Sequence, residues 1–176
     1  MLLRWIIGVI RFDPEVYREL KDDYTATLPA ILFVALIALI SALPSFLFSG
    51  KGLPIFFQTA ASAFSAWVTI VLLAFILGAK ALPGPETNVT VAALVRTLGF
   101  AQAPGLVLVL ALVPGASLGI ASLVLIWVFF TNLYALRETL SVSTSRALLV
   151  TVLAFLGYMF VLGPMISTLV SGPNAA

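Results

Sequence analysis

Five long apolar runs, joined by short links, constrain this chain more than any other feature. They span 28–48, about 55–77, about 94–113, 118–136 and 147–170. A bilayer core of ~30 Å takes roughly 20 apolar residues in a helix, and each run meets or approaches that length. The expected fold is therefore all-α: a polytopic membrane bundle of five transmembrane helices behind an N-terminal amphipathic interfacial helix. Thr27 reads as an N-cap, with Pro29 just inside the first span. The second span stops at Gly78. Pro114 and Gly115 turn the third run into the fourth with almost no loop, which makes those two an antiparallel hairpin. Residues 1–27 then form the cytoplasmic N-terminal region, 28–170 the transmembrane domain, and 171–176 a short external tail. No internal repeat or soluble domain is visible.

Composition excludes most other classes. Apolar residues make up 62% of the 176 and charged ones 9%, whereas soluble domains carry about 25% charged residues. The pI near 9.2 reflects a net charge of only +2. Its basic residues are scattered, so no nucleic-acid footprint exists. The chain contains no cysteine and no histidine, which removes disulfides, thiolate and imidazole metal sites, and imidazole bases. Six arginines against three lysines, with heavy Ala, Leu, Val and Gly, point to a bacterial source.

Orientation follows from the basic residues. Five spans place Arg4, Arg11, Arg18, Lys21, Lys80, Arg96, Arg137 and Arg146 on one side and Lys51 alone on the other. The N-terminus is therefore expected in the cytoplasm and the C-terminus outside the cell membrane.

The opening segment "MLLRWIIGVIRF" is too short to span and shows no cleavage site. Arg4, Gly8 and Arg11 recur at helical spacing as a narrow polar face. That pattern suits a helix in the headgroup plane, anchored by Arg4, Trp5 and Arg11; the alternative is a helix buried under the bundle. On the interfacial reading, removing residues 1–12 leaves the bundle folded. Asp13-Pro14-Glu15 starts a second helix, with Val16, Tyr17, Leu20 and Tyr24 along one face.

Several patterns imitate function. Gly115-Ala116-Ser117-Leu118-Gly119 matches the G-x-S-x-G nucleophile elbow, but no strand precedes it and no histidine exists to serve as base. Ser117 is expected to cap the fourth helix instead. Asn88-Val89-Thr90 matches a glycosylation sequon in a loop expected to be cytoplasmic. Gln58, Ser62, Ser65 and Thr69 form a polar stripe along the second span, read either as helix packing or as a groove for a lipid headgroup or solute.

In the third span, Arg96 is expected to snorkel to the headgroups. Gln102 sits deeper, and Pro104-Gly105 is expected to kink the helix and free a carbonyl. Asn132, five residues from Arg137, falls at the depth of Gln102. The two amides are expected to face the bundle interior, bonding across the hairpin or to the freed carbonyl. No Asp, Glu or Lys lies mid-span, which argues against an ion-coupled transporter.

The stretches "FDPEVYRELKDDYTAT", "RTLGFAQAPGLVLVLALVPGASLG" and "LYALRETLSVSTSRALL" resemble the Yip (Ypt/Rab-interacting protein) family of five-span membrane proteins, in its small prokaryotic form. The most telling residues are Gly99-Phe100 with Pro104, then the link from Arg137-Glu138 to Arg146-Ala147. The resemblance implies five spans, a cytoplasmic N-terminus and no catalytic residues. Eukaryotic members have a longer acidic N-terminal region and assist vesicle traffic with prenylated GTPases. This chain lacks that region, so a GTPase partner is not carried over. The function expected is a non-enzymatic organiser of membrane lipid or partner proteins, or a subunit of a larger complex. The alternative is a small lipid or solute carrier using the polar stripe. Expected partners are membrane lipids and other membrane proteins or further copies of the chain. No cofactor or metal is expected.

Overall fold

A computed structural model describes residues 1–85, 87–113 and 115–162. Among them the chain forms seven α-helices and no strand: α1 (Leu2–Ile10), α2 (Pro14–Asp22), α3 (Thr27–Phe48), α4 (Gly52–Ala74), α5 (Val91–Phe100), α6 (Ser117–Leu140) and α7 (Thr144–Gly157). A π-helical segment, Phe75–Ala81, prolongs α4, and a 3-10 segment, Ala103–Leu112, prolongs α5. Among the described residues, four helical stretches are long and apolar enough to cross a membrane: Tyr24–Phe48, Gly52–Ala81, Val91–Leu112 and Ser117–Leu140. The expected fifth run is represented by a shorter apolar helix, Thr144–Phe160. The rest of that run and the tail at 171–176 lie outside the described residues.

Local chemistry explains the helix ends. The Asp13 carboxylate accepts from the Glu15 N–H at 3.0 Å, with Pro14 at the first helical position, where its missing N–H costs nothing. Thr90 of the apparent sequon is the N-cap of α5, its hydroxyl accepting from Ala93 N–H. At Pro104 the α-helical register cannot continue, and the chain tightens into the 3-10 segment. Two expected caps are corrected. The structure places Ala26 and Ala116 at the N-caps of α3 and α6, without side-chain cap bonds. Thr27 is drawn away because its hydroxyl accepts from Arg96 Nη1 at 3.2 Å. Ser117 is an exposed first residue of α6, and the turn before it is made by Gly115 at φ +80°, a conformation favouring glycine.

Val91–Leu112 is the central span: 61% of its most apolar window is buried, against 28% in each of the other three. Close approach makes this possible, since a Cβ on Gly99 would stand 2.9 Å from the Ala30 Cβ of α3. The core gathers at one end of the bundle, where α1 and α2 fold against it. Phe100 is fully buried, stacked on Phe33 at 5.6 Å and edge-on to Trp5 at 5.4 Å. Tyr17 donates to the Val9 carbonyl at 3.2 Å. Burial, then the neighbouring Tyr134 phenol, pushes the Tyr17 phenol up from its usual range, so it remains a protonated donor.

The anchor role expected of Trp5 is corrected here. Trp5 is 3% exposed, and its indole N–H donates to Glu19 at 2.9 Å. Part of the polar face of α1 meets α2: Arg4, itself exposed, pairs with Glu19, and Gly8 admits the Val16 side chain. Arg11 is exposed. Leu2, Leu3 and Ile7 point outward. Tyr24 is also corrected, being 82% exposed, because α2 ends at Asp22 and a 3-10 turn, Tyr24–Ala26, follows.

Candidate functional site

Two places in the bundle gather polar groups. The first is the end where α2 crosses α6. The Glu138 carboxylate is largely buried and accepts from Arg18 Nε at 2.9 Å, with Arg137 Nε at 3.3 Å. Arg137 also lies over the Tyr134 ring. Around this pair, Arg18, Lys21, Asp22, Arg137, Glu138 and Ser141 line an open recess of about 450 Å³. Links from distant parts of the chain close on the same end. Arg146 donates to the Pro83 carbonyl and Thr87 to the Leu140 carbonyl.

Arg96 ties the N-terminal helices to this end. It is 2% exposed and does not snorkel. Its Nε donates to the Leu20 carbonyl at 2.8 Å, and its Nη2 donates to that of Lys21. It therefore caps the free carbonyls at the end of α2, where a cation is favoured. The Tyr24 ring covers the guanidinium, 5.1 Å from centroid to Cζ.

The second place is deeper. Gln102 and Asn132 line one cavity of about 390 Å³ between α4, α6 and α7, so the two amides do share a site. The expected bond between them is corrected. Gln102 Nε2 donates to Leu98 O at 3.4 Å, and Asn132 Nδ2 to Val128 O at 2.9 Å, each within its own span. The carbonyl of Ala101, three residues before Pro104, is taken by Thr131, whose hydroxyl lies 2.7 Å away across the hairpin. In a 3-10 register that carbonyl would pair with residue 104, and proline has no N–H to give. Beside it, Thr139 donates to Thr97 at 2.9 Å, both hydroxyls buried.

The polar stripe of α4 does not enter this cavity. Gln58, Ser62, Ser65 and Thr69 are absent from its lining and from that of a smaller neighbouring cavity, about 160 Å³, beside α3. Thr69 donates back to the Ser65 carbonyl. The α4 residues facing both cavities are Ala63 and Trp67.

The family model of the Yip1 domain matches residues 7–165. The chain belongs to the Yip1 family. No curated protein and no solved structure matches it. In this Yip1 domain, Gly99, Phe100 and Pro104 occupy the most enclosed part of the fold, and Glu138 is the hub of the charged end. Sequence reasoning missed Arg18, Trp67, Arg96 and Thr131 as contact-making residues. Of these, Arg96, a cation at the start of an apolar run, and Thr131, a hydroxyl one residue before Asn132, offered a signal.

Proposed function

We propose that the protein is a non-enzymatic, multi-pass Yip-family membrane protein. It organises membrane lipid or partner proteins, alone or within a larger complex, through its charged end. The recess between α2 and α6 carries this reading. Its walls are held by the Arg18–Glu138–Arg137 pairs, and it leaves Lys21, Asp22 and Arg137 accessible to an anionic headgroup or a charged partner surface. Among the described residues, the opposite end offers little beyond the turns at Lys51-Gly52 and Gly115-Ala116. The carrier reading needs the α4 stripe to line a path, and the stripe lines neither cavity.

The variant Lys21→Glu reverses recess charge while leaving the Arg18–Glu138–Arg137 pairs and the buried contacts of Arg96 and Phe100 intact. It should remain folded, and proteins or anionic lipids co-purifying in mild detergent should fall at least about fivefold by mass spectrometry. An unchanged set would refute the role of the recess.

In the topology we propose, the charged end is cytoplasmic, 147–170 forms a fifth span, and the C-terminus lies outside a bacterial cell membrane. Eight of nine basic residues map to the charged side, and Thr144–Phe160 is already helical and apolar. The outward Leu2, Leu3 and Ile7 of α1 then reach lipid at the membrane interface. Further copies of the chain or other membrane proteins are the partners proposed, without a GTPase. A reporter fused after Ala176 should behave as external, and one inserted at Pro85 as cytoplasmic. A cytoplasmic C-terminal reporter would sink the five-span arrangement.

A further inference from the structure

Among the described residues, two side chains that line the cavity between α4, α6 and α7 carry a buried polar atom without a hydrogen-bond partner: the Trp67 indole N–H and the Asn132 amide oxygen. Asn132 is 1% exposed and Trp67 6%. One orphan is a donor and the other an acceptor, and both belong to side chains lining the same space. Buried groups of this kind normally find partners, because leaving them unpaired in a low-dielectric interior costs free energy. Turning the Asn132 amide over does not relieve it. The Asn132 Nδ2 already donates to Val128 O, so flipping the amide would set two oxygens against each other.

We propose that this cavity binds a neutral membrane lipid through its free hydroxyl group. A hydroxyl donates one hydrogen and accepts through its lone pairs, so a single group can answer both orphans: Trp67 N–H donates to its oxygen, and its O–H donates to Asn132 Oδ1. An ester or ether oxygen only accepts and leaves Asn132 unpaired. A phosphate is disfavoured because no lysine or arginine lines the cavity.

Depth and access agree with a lipid. Asn132 is five residues along α6 from Arg137, about 7.5 Å at the helical rise, which sets the polar pair below the headgroups. The rim carries Leu125, Leu156 and Met159, all exposed apolar side chains on membrane-facing helices, so the mouth opens toward acyl chains. A volume of about 390 Å³, mostly apolar with a few polar groups, is of the size and character that small-ligand sites show.

The test uses the full chain in mild detergent with two probes, 1,2-dioctanoylglycerol and its O-methyl ether, and native mass spectrometry as readout. The wild-type protein should retain the alcohol at least tenfold better than the ether. Asn132→Leu should bring the two within about twofold, because it removes the acceptor that only the alcohol O–H engages. Trp67→Phe should weaken both, since both supply an oxygen to the indole N–H. Ala63→Leu, which fills the cavity from α4, should abolish retention of either. Equal retention of alcohol and ether by wild type overturns the proposal. Retention of neither also overturns it, leaving the orphans to water. So does full selectivity in a folded Asn132→Leu protein. Should that variant fail to fold, the wild-type comparison and Ala63→Leu decide. The site stands apart from the recess, so Lys21→Glu should leave the alcohol bound.

Discussion

Replacing Arg96 with methionine should loosen the N-terminal helices from the bundle and cost about 3 kcal/mol, the upper scale for hydrogen bonds made by a charged group. Methionine matches the aliphatic stem but abandons the Leu20 and Lys21 carbonyls and the Thr27 hydroxyl. Those carbonyls end α2 and have no helical partner of their own. Arg96→Lys should recover only part of the loss, because an ammonium is a point donor and cannot reach all three acceptors in the fork geometry of a guanidinium. Denaturant unfolding in detergent would measure the difference. Limited proteolysis should show new cleavage between α2 and α3 in the methionine variant. A methionine protein as stable as wild type would remove Arg96 from its assigned role.

Phe100→Ala should cost about 3–5 kcal/mol, the range for emptying a fully enclosed aromatic site. The ring is gripped from two sides, by Phe33 of α3 and Trp5 of α1, and Gly99 beside it holds α3 too close for the helices to collapse into the gap. Deleting residues 1–12 should destabilise the bundle comparably, contrary to the expectation that α1 is dispensable. The deletion strips Trp5 and Val9 from the core and removes the carbonyl that Tyr17 donates to. Unfolding curves of both variants beside wild type would settle the matter. A truncated protein that melts like the full chain would return α1 to the status of a peripheral anchor.

Sequence alone determined the helical class, the placement of four long apolar stretches within a few residues, the Asp13-Pro14 start of α2, a disturbance of the helix at Pro104 and the family. Each depends on neighbouring residues: run length, a capping side chain, a missing N–H. The charge asymmetry was likewise legible, because it counts residues at the ends of runs. Only the tertiary structure decided which side of each helix faces protein. On an amphipathic helix of a soluble protein, polarity marks the outside. In apolar runs such as α3 and α6, lipid and protein are both apolar surroundings, so hydropathy does not separate Leu136, fully packed, from Leu125, exposed. Trp5 was read as an anchor and Arg96 as a snorkelling cation for the same reason. Their partners, Phe100, Glu19, Leu20 and Thr27, come from distant segments, and no local pattern announces them. The cavity between α4, α6 and α7 depends on the same kind of juxtaposition. Gln102 and Asn132 were visible as amides at one depth, but the indole that shares their space reaches it only because α4 packs beside them.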